Sequence, residues 1–76
     1  MSLILYTRND CELCNKAEHL LAEAGFSSAV TKVFIDDDVE LLDRYGDQIP
    51  VLMREETGEK LSWPFTASQV RDLLDG

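Results

Sequence analysis

The sequence predicts an α/β fold with a mixed four-stranded sheet and helices on both of its faces. Its 76 residues leave room for one domain, residues 1–76, with one hydrophobic core. Short apolar or β-branched runs alternate with helical patterns in the order βαβαββα. The first two strands must be parallel with a right-handed crossover, whereas the last two form an antiparallel hairpin, so the sheet is mixed.

The first strand and helix are defined by an apolar run followed by a helical stripe. Leu3 to Thr7 is almost wholly apolar, as in a strand buried on both faces. The helix that follows is expected to stop at Gly25, which adopts a left-handed conformation easily. Thr31 to Ile35 is rich in β-branched residues and predicts the second strand. The residues expected to pack the helix on the sheet are Leu13, Ala17, Leu20, Leu21 and Ala24.

A short second helix is predicted from Asp38 to Tyr45, with Gly46 closing it. Asp36 and Asp37 lead into it, and we interpret the three aspartates as a helix cap and a solvated turn, since adjacent carboxylates do not converge on one metal ion. The residues of this helix expected to face inward are Val39, Leu42 and Tyr45.

The last part of the chain predicts a hairpin and a helix. A strand from Ile49 to Met53 is followed by a turn over residues 55–58, and Lys60 to Trp63 returns as its antiparallel partner. Thr66 and Gln69 have the spacing of a capping box. The final helix is expected to bury Val70, Leu73 and Leu74.

Charge and cysteine content narrow the functional class. The net charge of −8, from 15 acids and 7 bases, argues against nucleic acid or an anionic membrane surface as partner and favours basic or neutral partners. No basic segment precedes a long apolar run at the N-terminus. A small secreted domain usually carries several disulfides, whereas this chain has one close pair of cysteines. We therefore expect a cytoplasmic protein, acting as a monomer.

Cys11 and Cys14 lie where the first strand turns into the first helix. The free N–H groups and partial positive charge of a helix N-terminus stabilise a thiolate at Cys11. Cys14, three residues on, is near enough to attack a mixed disulfide formed on Cys11. A zinc site would need four ligands, and His19, the single histidine, is turned about 140° around the helix from Cys14. The pair therefore predicts redox chemistry without a bound metal.

Four features of the chain carry a resemblance to the glutaredoxin-like branch of the thioredoxin fold. They are the string from Leu5 to Cys11 with a base at Arg8, the second cysteine Cys14, the segment Ile49-Pro50-Val51, and the closing hairpin and helix. The resemblance implies a thioredoxin-like fold and a thiol–disulfide oxidoreductase that acts on protein or low-molecular-weight disulfides. It implies no bound cofactor, with electrons supplied by glutathione or by thioredoxin reductase.

The resemblance also assigns substrate-binding residues beside the catalytic pair. It implies a cis bond before Pro50, with the backbone N–H and C=O of Ile49 pairing with an extended substrate; the alternative is a trans proline that merely starts an edge strand. Arg8 either stabilises the Cys11 thiolate and guides an anionic substrate group, or is a solvated loop residue. Asp10 and Glu12 beside Cys11 oppose thiolate formation.

Three departures from the family pattern bear on the electron donor. Glu12-Leu13 stands where glutaredoxins usually have Pro-Tyr, and Gln48-Ile49-Pro50 replaces Thr-Val-Pro. Leu61 to Phe65 occupies roughly the region where the family has the Gly-Gly pair that helps hold glutathione. The absence of this pair argues against glutathione as the electron donor. Small glutaredoxin-like redoxins that are reduced by thioredoxin reductase resemble this chain to a comparable degree.

The alternative function is a non-catalytic thioredoxin-fold binding module with vestigial or regulatory cysteines.

Overall fold

The computed structural model describes residues 2–75, which form one four-stranded sheet with three α-helices. The elements are β1 Leu3–Thr7, α1 Glu12–Glu23, β2 Val30–Phe34, α2 Val39–Tyr45, β3 Val51–Arg54, β4 Lys60–Ser62 and α3 Ala67–Asp75. The strand order is β2-β1-β3-β4, with β1 parallel to β2 and antiparallel to β3, and β3 antiparallel to β4. The predicted order βαβαββα and the mixed sheet are confirmed.

The register of β1 determines which loops meet at one edge of the sheet. Thr7, the last residue of β1, pairs with Phe34 at the end of parallel β2. Tyr6 pairs with Val51, the first residue of antiparallel β3. The loop that leaves β1, the turn that leaves β2 and the segment that enters β3 therefore lie together.

Two hydrophobic clusters cover the two faces of the sheet, which confirms the helices on both sides. The larger cluster joins β1 and β3 to α1 and α3, and the smaller joins the sheet to α2. In the smaller cluster the rings of Tyr6 and Tyr45 stack with centroids 4.6 Å apart. Burial raises the pKa of Tyr6 above its ordinary value. The larger cluster consists of Leu3, Leu5, Ala17, Leu21, Leu52, Phe65, Val70 and Leu73.

The buried stripe of α1 differs from the predicted one. Cys14, Ala17 and Leu21 are its buried residues, whereas Leu13 is 46% exposed. Leu13 lies about 100° around the helix axis from Cys14, so only one of these two neighbours can face the sheet. Gly25 follows the helix at φ +84°, which confirms it as the left-handed stop.

The inward face of α2 also differs from the prediction. Val39 is 81% exposed, while Tyr45 is buried and Leu42 half-buried. Val39 is the first residue of the helix, and the contact with the sheet is made by the later turn. Asp38 caps the helix as predicted, since its Oδ1 accepts hydrogen bonds from the backbone nitrogens of residues 40 and 41 at 3.0 and 3.2 Å.

The remaining boundaries shift by one or two residues. Ile35, predicted as the end of β2, is buried in a 3₁₀ turn over Ile35–Asp37, and β3 begins after Pro50, which has no N–H to donate to the ladder. The capping box of α3 is confirmed by reciprocal hydrogen bonds of 2.9 and 3.2 Å between Thr66 and Gln69. Across residues 2–75, every helix is too short or too polar to cross a lipid bilayer.

Candidate active site

Cys11 is the N-cap of α1, and its sulfur takes part in the cap. The backbone at Cys11 is extended, with φ −110° and ψ 108°, and its Sγ accepts a hydrogen bond from the Cys14 nitrogen at 3.2 Å. The Cys11 carbonyl accepts the first helical hydrogen bond, from the Asn15 nitrogen at 3.1 Å. The sulfur therefore occupies the position that a capping oxygen usually fills, where the helix dipole stabilises negative charge.

The two cysteines lie close enough to bond and differ in exposure. Their Cα atoms are 5.2 Å apart and their sulfurs are within disulfide distance. Cys14 is 0% exposed, Cys11 is half-buried, and Leu13 between them is largely exposed. A partner molecule approaching this surface therefore reaches Cys11 before Cys14.

The loop from β1 to Cys11 is fixed by Asp36, a residue outside the predicted site. Asp36 accepts from Arg8 Nε at 2.8 Å, from the Asn9 backbone nitrogen at 2.9 Å and from Asn9 Nδ2 at 3.0 Å. The hydrogen bond from the Asn9 N–H and the one from Arg8 hold the pKa of the Asp36 carboxyl below its ordinary value. Asp10 then turns the chain into the helix at φ +55°, a left-handed conformation that Asp and Asn tolerate.

Arg8 is consequently an anchor of this loop in the structure. The Asp36 carboxylate lies against the Arg8 guanidinium. Its negative charge offsets the positive charge that Arg8 could otherwise direct at a sulfur or a substrate. The local sequence predicts only a solvated turn at Asp36, because it does not reveal the parallel pairing of Thr7 with Phe34 that places residues 8 and 36 side by side.

The Ile49–Pro50 segment lies at the same edge of the sheet, and its peptide bond is cis, as is the Trp63–Pro64 bond. The Pro50 carbonyl accepts from the Trp63 nitrogen at 3.2 Å. The Ile49 nitrogen donates to the Tyr45 carbonyl at 3.2 Å, so this N–H is engaged within the fold. A substrate that pairs with this N–H must therefore displace the Tyr45 carbonyl, and the pairing of the Ile49 backbone with substrate stays a prediction.

Metal-ligating residues do not converge in the described part of the chain. Within residues 2–75, no group of three or more His, Cys, Asp or Glu side chains is placed to hold a metal ion. His19 is exposed on α1, with Nε2 3.0 Å from Glu23 Oε1. A groove of about 420 Å³ lies between α1 and β2, and its lining residues include neither cysteine.

Comparisons with known proteins agree with this fold. A model of the glutaredoxin-like domain (DUF836) matches residues 2–75. A crystal structure of the structural genomics target protein XcR50 from X. campestris is 46% identical, with a TM-score of 0.84, and the match covers 97% of this chain and 96% of that one. A solution structure of XcR50 from X. campestris is 48% identical, with a TM-score of 0.81, over 99% of this chain and 94% of that one. No curated protein matches. With its thioredoxin-like architecture, the chain belongs to the glutaredoxin-like domain family.

Proposed function

We propose that this protein is a dithiol–disulfide oxidoreductase that reduces protein or low-molecular-weight disulfides in the cytoplasm. The observation that carries the proposal is the asymmetry of the cysteine pair: a half-buried Cys11 sulfur capping α1, with a fully buried Cys14 at disulfide distance. The accessible Cys11 sulfur, stabilised by the helix dipole, suits the role of nucleophile. The protected Cys14 sulfur suits the role of resolving thiol.

The reaction begins from the reduced pair. The Cys11 thiolate attacks one sulfur of the substrate disulfide, a bond forms between these two sulfurs, and the second substrate sulfur leaves as a thiolate that takes a proton from water. Cys14, deprotonated, then attacks the Cys11 sulfur and releases the first substrate sulfur as a second thiolate. The substrate gains two electrons and two protons, and the cysteines end as the disulfide. A reductant restores the dithiol.

Charge near the site supports a protein reductant over glutathione. Arg8 is paired with Asp36, while the Glu12 side chain beside Cys11 is 87% exposed and its Oε1 lies 4.0 Å from Lys16 Nζ. Asp10 is exposed as well. The Glu12–Lys16 pair is long and exposed and therefore offsets little of the Glu12 charge. The negative charges near Cys11 repel the anionic glutathione molecule and tolerate a neutral or basic protein surface. We therefore propose thioredoxin reductase, or an enzyme like it, as the electron donor.

A disulfide-reduction assay tests the function, run in parallel with glutathione plus its reductase and with thioredoxin reductase. Turnover with thioredoxin reductase alone is the expected result, and Cys11→Ser should abolish it. His19→Gln, on the exposed face of α1, serves as the control that keeps wild-type turnover. Absence of turnover with both donors would contradict the proposal and favour a non-catalytic binding module.

A further inference from the structure

Thr7, the last residue of β1, carries a buried hydroxyl that has no partner. The residue is 1% exposed, and its Oγ1 is the buried side-chain nitrogen or oxygen without a hydrogen bond among residues 2–75. A buried hydroxyl usually finds a partner, because leaving one unpaired costs free energy. The hydroxyl is therefore available to a nearby group that becomes a good acceptor in another state of the protein.

The topology places Thr7 and Cys14 at the same end of two elements that pack on each other, β1 and α1. Side chains alternate along β1, so Thr7 faces the same side of the sheet as Leu5, which packs with Ala17 and Leu21 of α1. The chain enters the loop over residues 8–11 from β1 and leaves it into α1, so the end of β1 and the start of α1 are the parts nearest this loop. Thr7 lies nearer to the loop than Leu5 by about 6.6 Å of strand. Cys14 lies nearer to the loop than Ala17 by about 4.5 Å of helix. Thr7 and Cys14 are thus the buried positions of the two elements nearest the loop.

We propose that Thr7 is a positioning residue whose hydroxyl donates a hydrogen bond to the Cys14 sulfur when the disulfide opens. The proposal rests on the redox function proposed above. A disulfide sulfur is a weak acceptor, whereas a thiolate accepts a charge-assisted hydrogen bond. The hydroxyl is therefore unpaired in the oxidised protein and paired in the reduced one, and both effects favour the reduced form.

The same hydrogen bond assists the resolving step. Cys14 loses its proton to water, and its thiolate attacks the Cys11 sulfur of the mixed disulfide. The Cys14–Cys11 bond forms, the bond from Cys11 to the substrate sulfur breaks, and the departing thiolate takes a proton from water. Thr7 keeps its own proton throughout and acts by raising the fraction of Cys14 present as thiolate.

Thr7→Val removes the hydroxyl with little change of shape. We expect the dithiol–disulfide equilibrium, measured against dithiothreitol buffers, to shift about tenfold toward the disulfide, which is about 30 mV more reducing. Thr7→Ser should restore the wild-type equilibrium. In a Cys11→Ser background, the thiolate absorbance of Cys14 should appear at higher pH with Thr7→Val, a change that a merely structural role would not produce.

Thr31→Val on β2 is the matched control, because this exposed threonine pairs with Ile4, whose side chain faces away from that of Thr7. An unchanged equilibrium in Thr7→Val, with a wild-type pair that titrates reversibly, overturns the proposal and leaves the redox function standing. If Thr7→Val does not fold, Thr7→Ala is measured in the same way. A tenfold shift in a protein that reduces no substrate would support the role of Thr7 and contradict the proposed function instead.

Discussion

The backbone nitrogen of Cys14 donates a hydrogen bond to the sulfur of Cys11 over 3.2 Å. One contact thus satisfies a free N–H of the first helical turn and directs partial positive charge at the reactive sulfur. The relation is one-sided, because Cys14 lies within the helix and points into the protein. The helix start therefore distinguishes the two thiols.

Cys11 should be the thiol that reacts first with an alkylating agent. Brief treatment of the reduced protein with iodoacetamide at neutral pH, followed by mass mapping, is expected to place the label on Cys11, since Cys14 is fully buried. Cys14→Ser should accumulate mixed disulfides at Cys11. Predominant labelling of Cys14 would reverse the two roles.

The acidic neighbours of Cys11 should lower the reduction potential of the Cys11–Cys14 pair. We expect a potential nearer ~−270 mV than ~−200 mV, the values of thioredoxin and of the more oxidising glutaredoxins. Asp10→Asn with Glu12→Gln should make it more oxidising, because two negative charges beside the thiolate are removed. Asn tolerates the φ of +55° at position 10, so the loop is preserved.

The control for this experiment removes the same charge elsewhere. Glu59→Gln with Asp72→Asn alters two exposed acids outside the cysteine loop and should leave the potential unchanged. An equal shift of the potential in both double variants would mean that the net charge of the protein, and not the position of the two acids, sets the potential. No shift in either variant would show that solvent screens the carboxylates beside Cys11.

Asp36 should make stability depend on pH in the acid range. Its pKa is lowered in the fold by the Asn9 N–H and by Arg8, while the unfolded chain titrates at the ordinary value of about 4. The contacts therefore stabilise the fold above about pH 4, and this stabilisation is lost as the pH falls through the lower folded pKa.

Asp36→Asn should consequently be less stable than wild type at pH 7, with the difference shrinking as the pH falls below about 4. Urea denaturation of the two oxidised proteins at a series of pH values measures this. Asp37→Asn changes an exposed neighbour and should show a smaller effect at pH 7. A difference between wild type and Asp36→Asn that stays constant with pH would contradict the ionic contribution.

Two leucines of α1 should differ sharply in their contribution to stability. Leu21→Ala is expected to cost about 2–5 kcal/mol, because Leu21 lies in the larger hydrophobic cluster at 2% exposure. Leu13→Ala, the same change at a 46% exposed position of the same helix, should cost less than about 1 kcal/mol. Denaturant unfolding compares them, and similar costs would refute the observed helix face.

The sequence by itself determined the features that depend on neighbouring residues. The cysteine spacing, the glycine stop after α1, the Thr66–Gln69 capping box and the order of strands and helices all follow from local periodicity and from hydrogen bonds that span a few residues. These interactions do not depend on distant residues, so they can be predicted from the sequence alone.

Only the tertiary structure decided which of two adjacent positions faces the core and which distant residues meet. The choice of Cys14 over Leu13 depends on how α1 lies across the sheet, and the contact of Arg8 with Asp36 depends on the register of β1 against β2. The engagement of the Ile49 N–H by Tyr45 likewise follows from how α2 leads into β3. Helix orientation and strand register are set by packing across the whole domain, and no short stretch of sequence contains that information.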